Sequence, residues 1–185
     1  MILIPVFMAV TVCDFFGNET VSRLSGAVIF GVTGFTDMLD GKIARKRGLV
    51  TDFGKFLDPV ADKLMIIGAY LSIMYLIRCE KALFLTLLWT AFIVVVREIA
   101  VTSLRMIVST KSEVVIAAAW PGKAKTVCQI VSVLVLLLEP VLFRPTFIAK
   151  YHILSYLSLA AVTFMTIYSG ILYFKAYKDY LDPEK

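Results

Sequence analysis

LFLTLLWTAFIVVV, residues 83–96, runs fourteen positions without a charge, a glycine or a proline. A barrel strand between lipid and lumen would alternate apolar with polar residues, and this run does not. Apolar length without period two marks a helix that crosses a bilayer. VSVLVLLL, residues 131–138, carries the same signal. The predicted fold class is therefore all-α, a polytopic membrane protein.

Composition extends this to the whole chain. Its 185 residues are 59% hydrophobic and 18% charged, with mean hydropathy +0.85, against roughly 25% charged in soluble domains. At about 20 apolar residues per crossing there is room for about six short-looped spans and for one domain, residues 1–185. We place apolar stretches at 2–16, 22–44, 56–78, 82–106, 122–143 and 150–174. The breaks carry turn residues or charge: Gly17-Asn18, Lys46-Arg47-Gly48, Arg78-Cys79-Glu80-Lys81, Trp120-Pro121-Gly122 and Arg144-Pro145. The first stretch lacks the basic flank and small-residue cleavage site of a signal peptide. It is short for a crossing and opens at Met1, which leads us to expect a longer N-terminal segment in the complete protein.

Lysines and arginines divide unevenly between the two ends of this bundle. One side holds Lys42, Arg45, Lys46, Arg47, Lys55, Arg105, Lys111, Lys123, Lys125, Lys175, Lys178 and Lys185. The other keeps Arg23, Arg78, Lys81, Arg144 and Lys150. The positive-inside rule puts the first side in the cytoplasm, and we expect the membrane to be the cell membrane. The net charge of +5 follows from that topology; the same cations attract anionic lipid or a phosphorylated substrate. We assign no nucleic-acid partner.

The chemistry lies on the basic side. Asp37-x-x-Asp40-Gly41-x-x-Ala44-Arg45 is followed, eight residues later, by Gly54-x-x-x-Asp58-x-x-x-Asp62. Ionised carboxylates in a membrane protein need water, metal or a partner. On a helix the first five share an arc of about 140°. Gly54, Asp58 and Asp62 recur at i, i+4 and i+8, with Pro59 placed in a first helical turn. Two antiparallel helix ends then bring the carboxylates together, and divalent cations offset their repulsion. Oxygen donors without His or Cys favour Mg²⁺ or Mn²⁺; two such ions suit a diphosphate. Gly41 and Ala44 clear the helix surface, and Arg45 offers a planar cation for phosphate. Any one of these small residues alone would read as helix packing.

Taken together, the pattern resembles the signature of the CDP-alcohol phosphatidyltransferase family. Arg97-Glu98, Ser103-Leu104-Arg105, and Trp120-Pro121-Gly122-Lys123-x-Lys125-Thr126 with Gln129 resemble its phosphatidylglycerophosphate synthase branch. The resemblance implies a six-transmembrane-helix bundle, a polar cavity open to the cytoplasm, and a homodimer. It implies transfer of a phosphatidyl group from CDP-diacylglycerol to sn-glycerol 3-phosphate, releasing CMP. Asp37, Asp40, Asp58 and Asp62 would be metal ligands, with Asp62 also the general base. Asp37, Gly41, Ala44, Arg45 and Gly54 would form the nucleotide site. The chain departs from the branch in opening without a polar Asn- and Arg-bearing segment, which leaves the metal and base positions intact.

A dianionic acceptor phosphate calls for Arg or Lys, and Arg97, Arg105, Lys123 and Lys125 are the candidates. Arg97 interrupts an apolar span; a buried pair with Glu98 or another acid is its alternative reading, and ordinary positive-inside placement is the alternative for the other three. Another acceptor within the family stays open: phosphatidylglycerol, as in a cardiolipin synthase, or serine or an inositol phosphate. A divalent-cation transporter is a remote alternative, since its acids would be spread through the membrane depth. Cys13, Cys79 and Cys128 lack metal-binding spacing, and His152, the sole histidine, reads as interfacial. Phe30, Phe35, Phe56 and Tyr70 could line a groove open to lipid or simply pack. Gly26, Gly31 and Gly34 suggest close helix packing.

Overall fold

A helix break at Gly17 and Asn18 sets the first corner of the bundle. Gly17 adopts φ 57°, in the left-handed region, and the Asn18 side chain accepts from Thr20 N at 3.0 Å, capping the helix that follows. In the computed structural model of the chain, residues 3–13, 17–46, 52–111, 120–144 and 146–177 are described, with side chains for all of these except 37–46, 52–59, 107–111 and 121. Those residues form seven helices and no strand: α1 Leu3–Val12, α2 Glu19–Lys46, α3 Asp52–Leu76, α4 Lys81–Lys111, α5 Trp120–Leu142, α6 Phe147–Lys150 and α7 Ile153–Tyr177. Three segments, Lys81–Met106, Gly122–Leu142 and Ile153–Tyr177, are long and apolar enough to cross a membrane. Helix α3 begins before the apolar stretch, so Pro59 stands at its eighth residue rather than in a first turn. There its missing N–H removes one rung of the helical ladder.

Helix α5 packs against α2, α3 and α7, while α7 also packs on α4 and α1 sits on α2 and α3. Ile73, Leu87, Val133, Leu137, Leu159 and Val162 are fully buried where these helices meet. Trp89, Phe92, Leu157 and Phe164 stand more than half exposed, as suits helices whose outer solvent is lipid. Where lipid is as apolar as the core, close backbone approach supplies much of the association. A Cβ at Gly26 would fall 2.5 Å from Thr11 Cγ2, and one at Gly68 would fall 3.2 Å from Ile4 Cγ2, so both glycines seat α1. Gly31 and Gly34 face open space instead. Phe30 and Tyr70 are core residues and Phe35 is exposed; the side chain of Phe56 lies outside those described.

Two polar ties hold the end of the bundle far from Asp62. Pro140 lies inside α5, and its missing N–H leaves the Leu136 carbonyl without a helical donor. Arg23 Nη1 of α2 donates to that oxygen at 3.3 Å, and its Nε and Nη2 donate to Glu19 Oε1 at 2.9 and 2.7 Å. Glu139, 2% exposed, accepts from Leu154 N at 2.9 Å and Ser155 N at 2.8 Å, and also from Ser155 Oγ. A carboxylate there satisfies amides that the first turn of α7 cannot. His152, with φ 49° in the turn before α7, pairs its Nε2 with Glu80 Oε2 at 2.5 Å.

Candidate active site

The acidic stretch spans the C-terminal part of α2 and the N-terminal part of α3. The backbone is helical at Asp37, Asp40, Gly41, Ala44 and Arg45 and again at Gly54, Asp58 and Asp62, so the i+3, i+4 and i+8 register is kept. Side chains in this group are described for Asp62 alone. Asp62 is exposed and forms part of the wall of a cavity of about 300 Å³ bounded by α3, α4, α5 and α7. Arg97, Arg105, Lys123 and Lys125 line the same cavity. Helix α4 contributes the two arginines, α5 the two lysines, and α3 adds Lys63 next to Asp62. Among the described residues, five cations thus line the cavity with two carboxylates, Asp62 and Glu98.

Glu98 joins two of those cations. Its Oε1 accepts from Arg97 Nη1 at 3.2 Å and from Lys125 Nζ, and the side chains of Arg97, Glu98 and Lys125 are 11%, 15% and 6% exposed. Arg97 therefore both pairs with Glu98 and faces the cavity. Its Nε and Nη2 are buried without a hydrogen-bond partner among the described residues, as is Gln129 Nε2 on the same wall. A buried donor left unpaired costs about 1–3 kcal/mol, more when charged. An oxyanion entering this cavity would relieve that cost. Across the cavity Lys63 Nζ donates to Thr102 Oγ1 at 2.5 Å, tying α3 to α4.

Helix α7 brings in a residue that motif reasoning did not reach. Tyr173, 4% exposed, accepts a hydrogen bond at its hydroxyl from Arg105 Nη2 at 2.6 Å. The guanidinium carbons of Arg97 and Arg105 lie 5.3 and 4.9 Å from the centre of its ring. Lys63 and Thr102 were also missed; adjacency to Asp62 is the only sequence signal for Lys63, and none exists for Tyr173.

Donor chemistry near Asp62 suits a hard cation. No histidine or cysteine lines this cavity, and His152 is engaged with Glu80. Among the described residues no three His, Cys, Asp or Glu cluster. In sequence Asp37, Asp40, Asp58 and Asp62 supply oxygen donors, the chemistry that Mg²⁺ and Mn²⁺ take, and the side chains of the first three lie outside those described. The described basic residues also separate by end. Arg23, Arg144 and Lys150 surround a second cavity of about 710 Å³ with Glu80 and His152, away from Asp62.

Residues 1–172 match the CDP-alcohol phosphatidyltransferase family. The chain belongs to that family. Among its phosphatidyltransferase relatives, the CDP-diacylglycerol–glycerol-3-phosphate 3-phosphatidyltransferase of Bacillus subtilis is 38% identical over 180 residues, covering 93% of this chain and 87% of the relative. The Haemophilus influenzae protein of the same name is 35% identical over 182 residues, covering 98% and 90%. A probable phosphatidylglycerophosphate synthase of Mycobacterium tuberculosis is 30% identical over 175 residues, covering 94% and 75%.

Proposed function

We propose that this protein transfers the phosphatidyl group of CDP-diacylglycerol to the primary hydroxyl of sn-glycerol 3-phosphate, yielding phosphatidylglycerophosphate and CMP. The observation that carries the acceptor is the pair of Arg97 donors without a partner among the described residues, in a cavity that Arg105, Lys123, Lys125 and Asp62 also line. A phosphate dianion satisfies such donors, with charge-assisted hydrogen bonds roughly twice as strong as neutral ones. Glycerol, which is neutral, and serine, whose single carboxylate is offset by its own ammonium, offer no comparable dianionic partner for the described cations of this cavity.

In this scheme the acceptor phosphate binds Arg97, Arg105 and the cavity lysines, which aims the distal hydroxyl at Asp62. Asp62 takes the hydroxyl proton as the oxygen attacks the phosphorus that bears diacylglycerol. The new oxygen–phosphorus bond forms as the bond to CMP breaks, and CMP leaves with the electron pair. Asp37, Asp40, Asp58 and Asp62 would hold two divalent cations, Mg²⁺ or Mn²⁺. When bound, these offset the charge of the diphosphate and of departing CMP. Gly41, Ala44, Arg45 and Gly54, with Asp37, receive the cytidine diphosphate, as the family resemblance implies. We further propose six spans with α1 to α3 completing the crossings, an active site facing the cytoplasm of the cell membrane, and a homodimer. The separation of cations between the two ends supports the orientation.

CMP release by purified protein with CDP-diacylglycerol and Mg²⁺ tests this directly. Release should require glycerol 3-phosphate and should not be supported by glycerol, serine or phosphatidylglycerol at equal concentration. Release driven as well by one of those would discard the acceptor.

A further inference from the structure

The seventh helix contributes nothing to the acidic motif, yet it reaches the cavity at one residue. Tyr173 stands between the two arginines of α4, its ring within cation–π distance of both guanidinium carbons, at 5.3 Å from Arg97 and 4.9 Å from Arg105. Its hydroxyl accepts from Arg105 Nη2 at 2.6 Å. Arg97 and Arg105 are eight residues apart on α4, and the tyrosine from α7 lies against both.

Tyr173 is itself held in place. The residue is 4% exposed and its ring stacks on Tyr177 at 6.1 Å between centroids. A Cβ at Gly122 would lie 3.2 Å from the tyrosine hydroxyl, so the glycine at the start of α5 leaves room for that hydroxyl. At Gly170, one turn earlier on α7, a Cβ would come within 3.4 Å of Arg97 Cγ. The two glycines thus let α5 approach the tyrosine hydroxyl and α7 approach Arg97 closely. A long, flexible Arg loses up to about 2 kcal/mol of rotamer entropy when it is fixed. A ring and hydroxyl that fix two of them beforehand remove much of that loss from the binding step.

We propose that Tyr173 is a positioning residue for the acceptor: it presets Arg105 through its hydroxyl, and Arg97 through its ring, to receive the phosphate of the acceptor. The inference rests on the acceptor reading above and adds to it the part played by α7. Tyr173 offers the phosphate no positive charge and acts through the arginines.

The test is a double-mutant cycle on the KM for glycerol 3-phosphate, at saturating CDP-diacylglycerol, using Tyr173→Phe, Arg105→Ala and the combined variant. Tyr173→Phe keeps the ring and its stack on Tyr177 and removes the hydroxyl alone. The KM for glycerol 3-phosphate should rise about ten-fold in Tyr173→Phe, from loss of a hydrogen bond to a charged group. It should rise at least as far in Arg105→Ala, and no more than about two-fold further in the combined variant, while kcat and the KM for CDP-diacylglycerol change far less. Tyr173→Leu, which also removes the ring, should exceed Tyr173→Phe. If Arg105→Ala raises the acceptor KM and Tyr173→Phe does not, or if their effects multiply, the positioning role is overturned and the pocket stands. An acceptor KM unchanged in Arg105→Ala would overturn both.

Discussion

Glu98→Gln removes the charge that two buried cations share while keeping side-chain volume. Arg97 and Lys125 are 11% and 6% exposed, and both donate to the same Glu98 oxygen. Breaking a buried pair by deleting one partner costs about 3–5 kcal/mol, because the remaining charge stays desolvated. Glutamine can still accept one of the two hydrogen bonds, so we expect the lower end, about 3 kcal/mol. For a chain of this length that corresponds to an apparent Tm lower by roughly 6–12 °C. The assay is loss of the monodisperse size-exclusion peak in detergent after heating at stepped temperatures. Lys125→Met in the Glu98→Gln background should return part of the loss, since it removes one of the stranded charges. Added glycerol 3-phosphate should raise the Tm of Glu98→Gln more than that of the parent, because a dianion replaces the missing carboxylate. A Tm within about 2 °C of the parent, unmoved by the acceptor, would refute the idea that Glu98 compensates these cations.

Asp62→Asn should lower CMP release at least a hundred-fold, within the range of about 10²–10⁴ for loss of a general base, while CDP-diacylglycerol binding by equilibrium dialysis is largely kept. Near-parent turnover would remove Asp62 from that role. Gly26→Ala should cost about 1–3 kcal/mol by pushing a methyl into Thr11, seen as a lower Tm; Gly31→Ala, which meets open space, should not. Glu139→Ala should cost about 3 kcal/mol by stranding two amides and a hydroxyl at the start of α7. It should leave the KM for glycerol 3-phosphate unchanged, since it lies at the other end of the bundle, and a selective rise in that KM would contradict the placement.

The helices were legible because apolar length is a local property. Residues 83–96 could lie only in a membrane helix or a buried one, and both place α4 where it is found. The register of the acidic motif was legible for the same reason, since i+4 spacing needs only that the backbone be helical. Arg97 was harder: an isolated cation in an apolar span demands either a ligand or an acid, and it has both a bond to Glu98 and two donors left over. Nothing local linked Lys125 to Glu98, or Tyr173 to Arg105 across 68 positions. Such contacts depend on how α4, α5 and α7 cross, which periodicity does not encode. Pro59 was misplaced because α3 begins in a polar segment, where hydropathy gives no start signal.

The acceptor cavity is tested most directly by the steady-state KM values of Arg97→Ala. Arg97 has two buried donors without a partner among the described residues, so its loss should raise the KM for glycerol 3-phosphate on the order of a hundred-fold. The KM for CDP-diacylglycerol should move by less than about three-fold. An unchanged acceptor KM, or an equal rise in both, would mean that this cavity does not hold the acceptor phosphate.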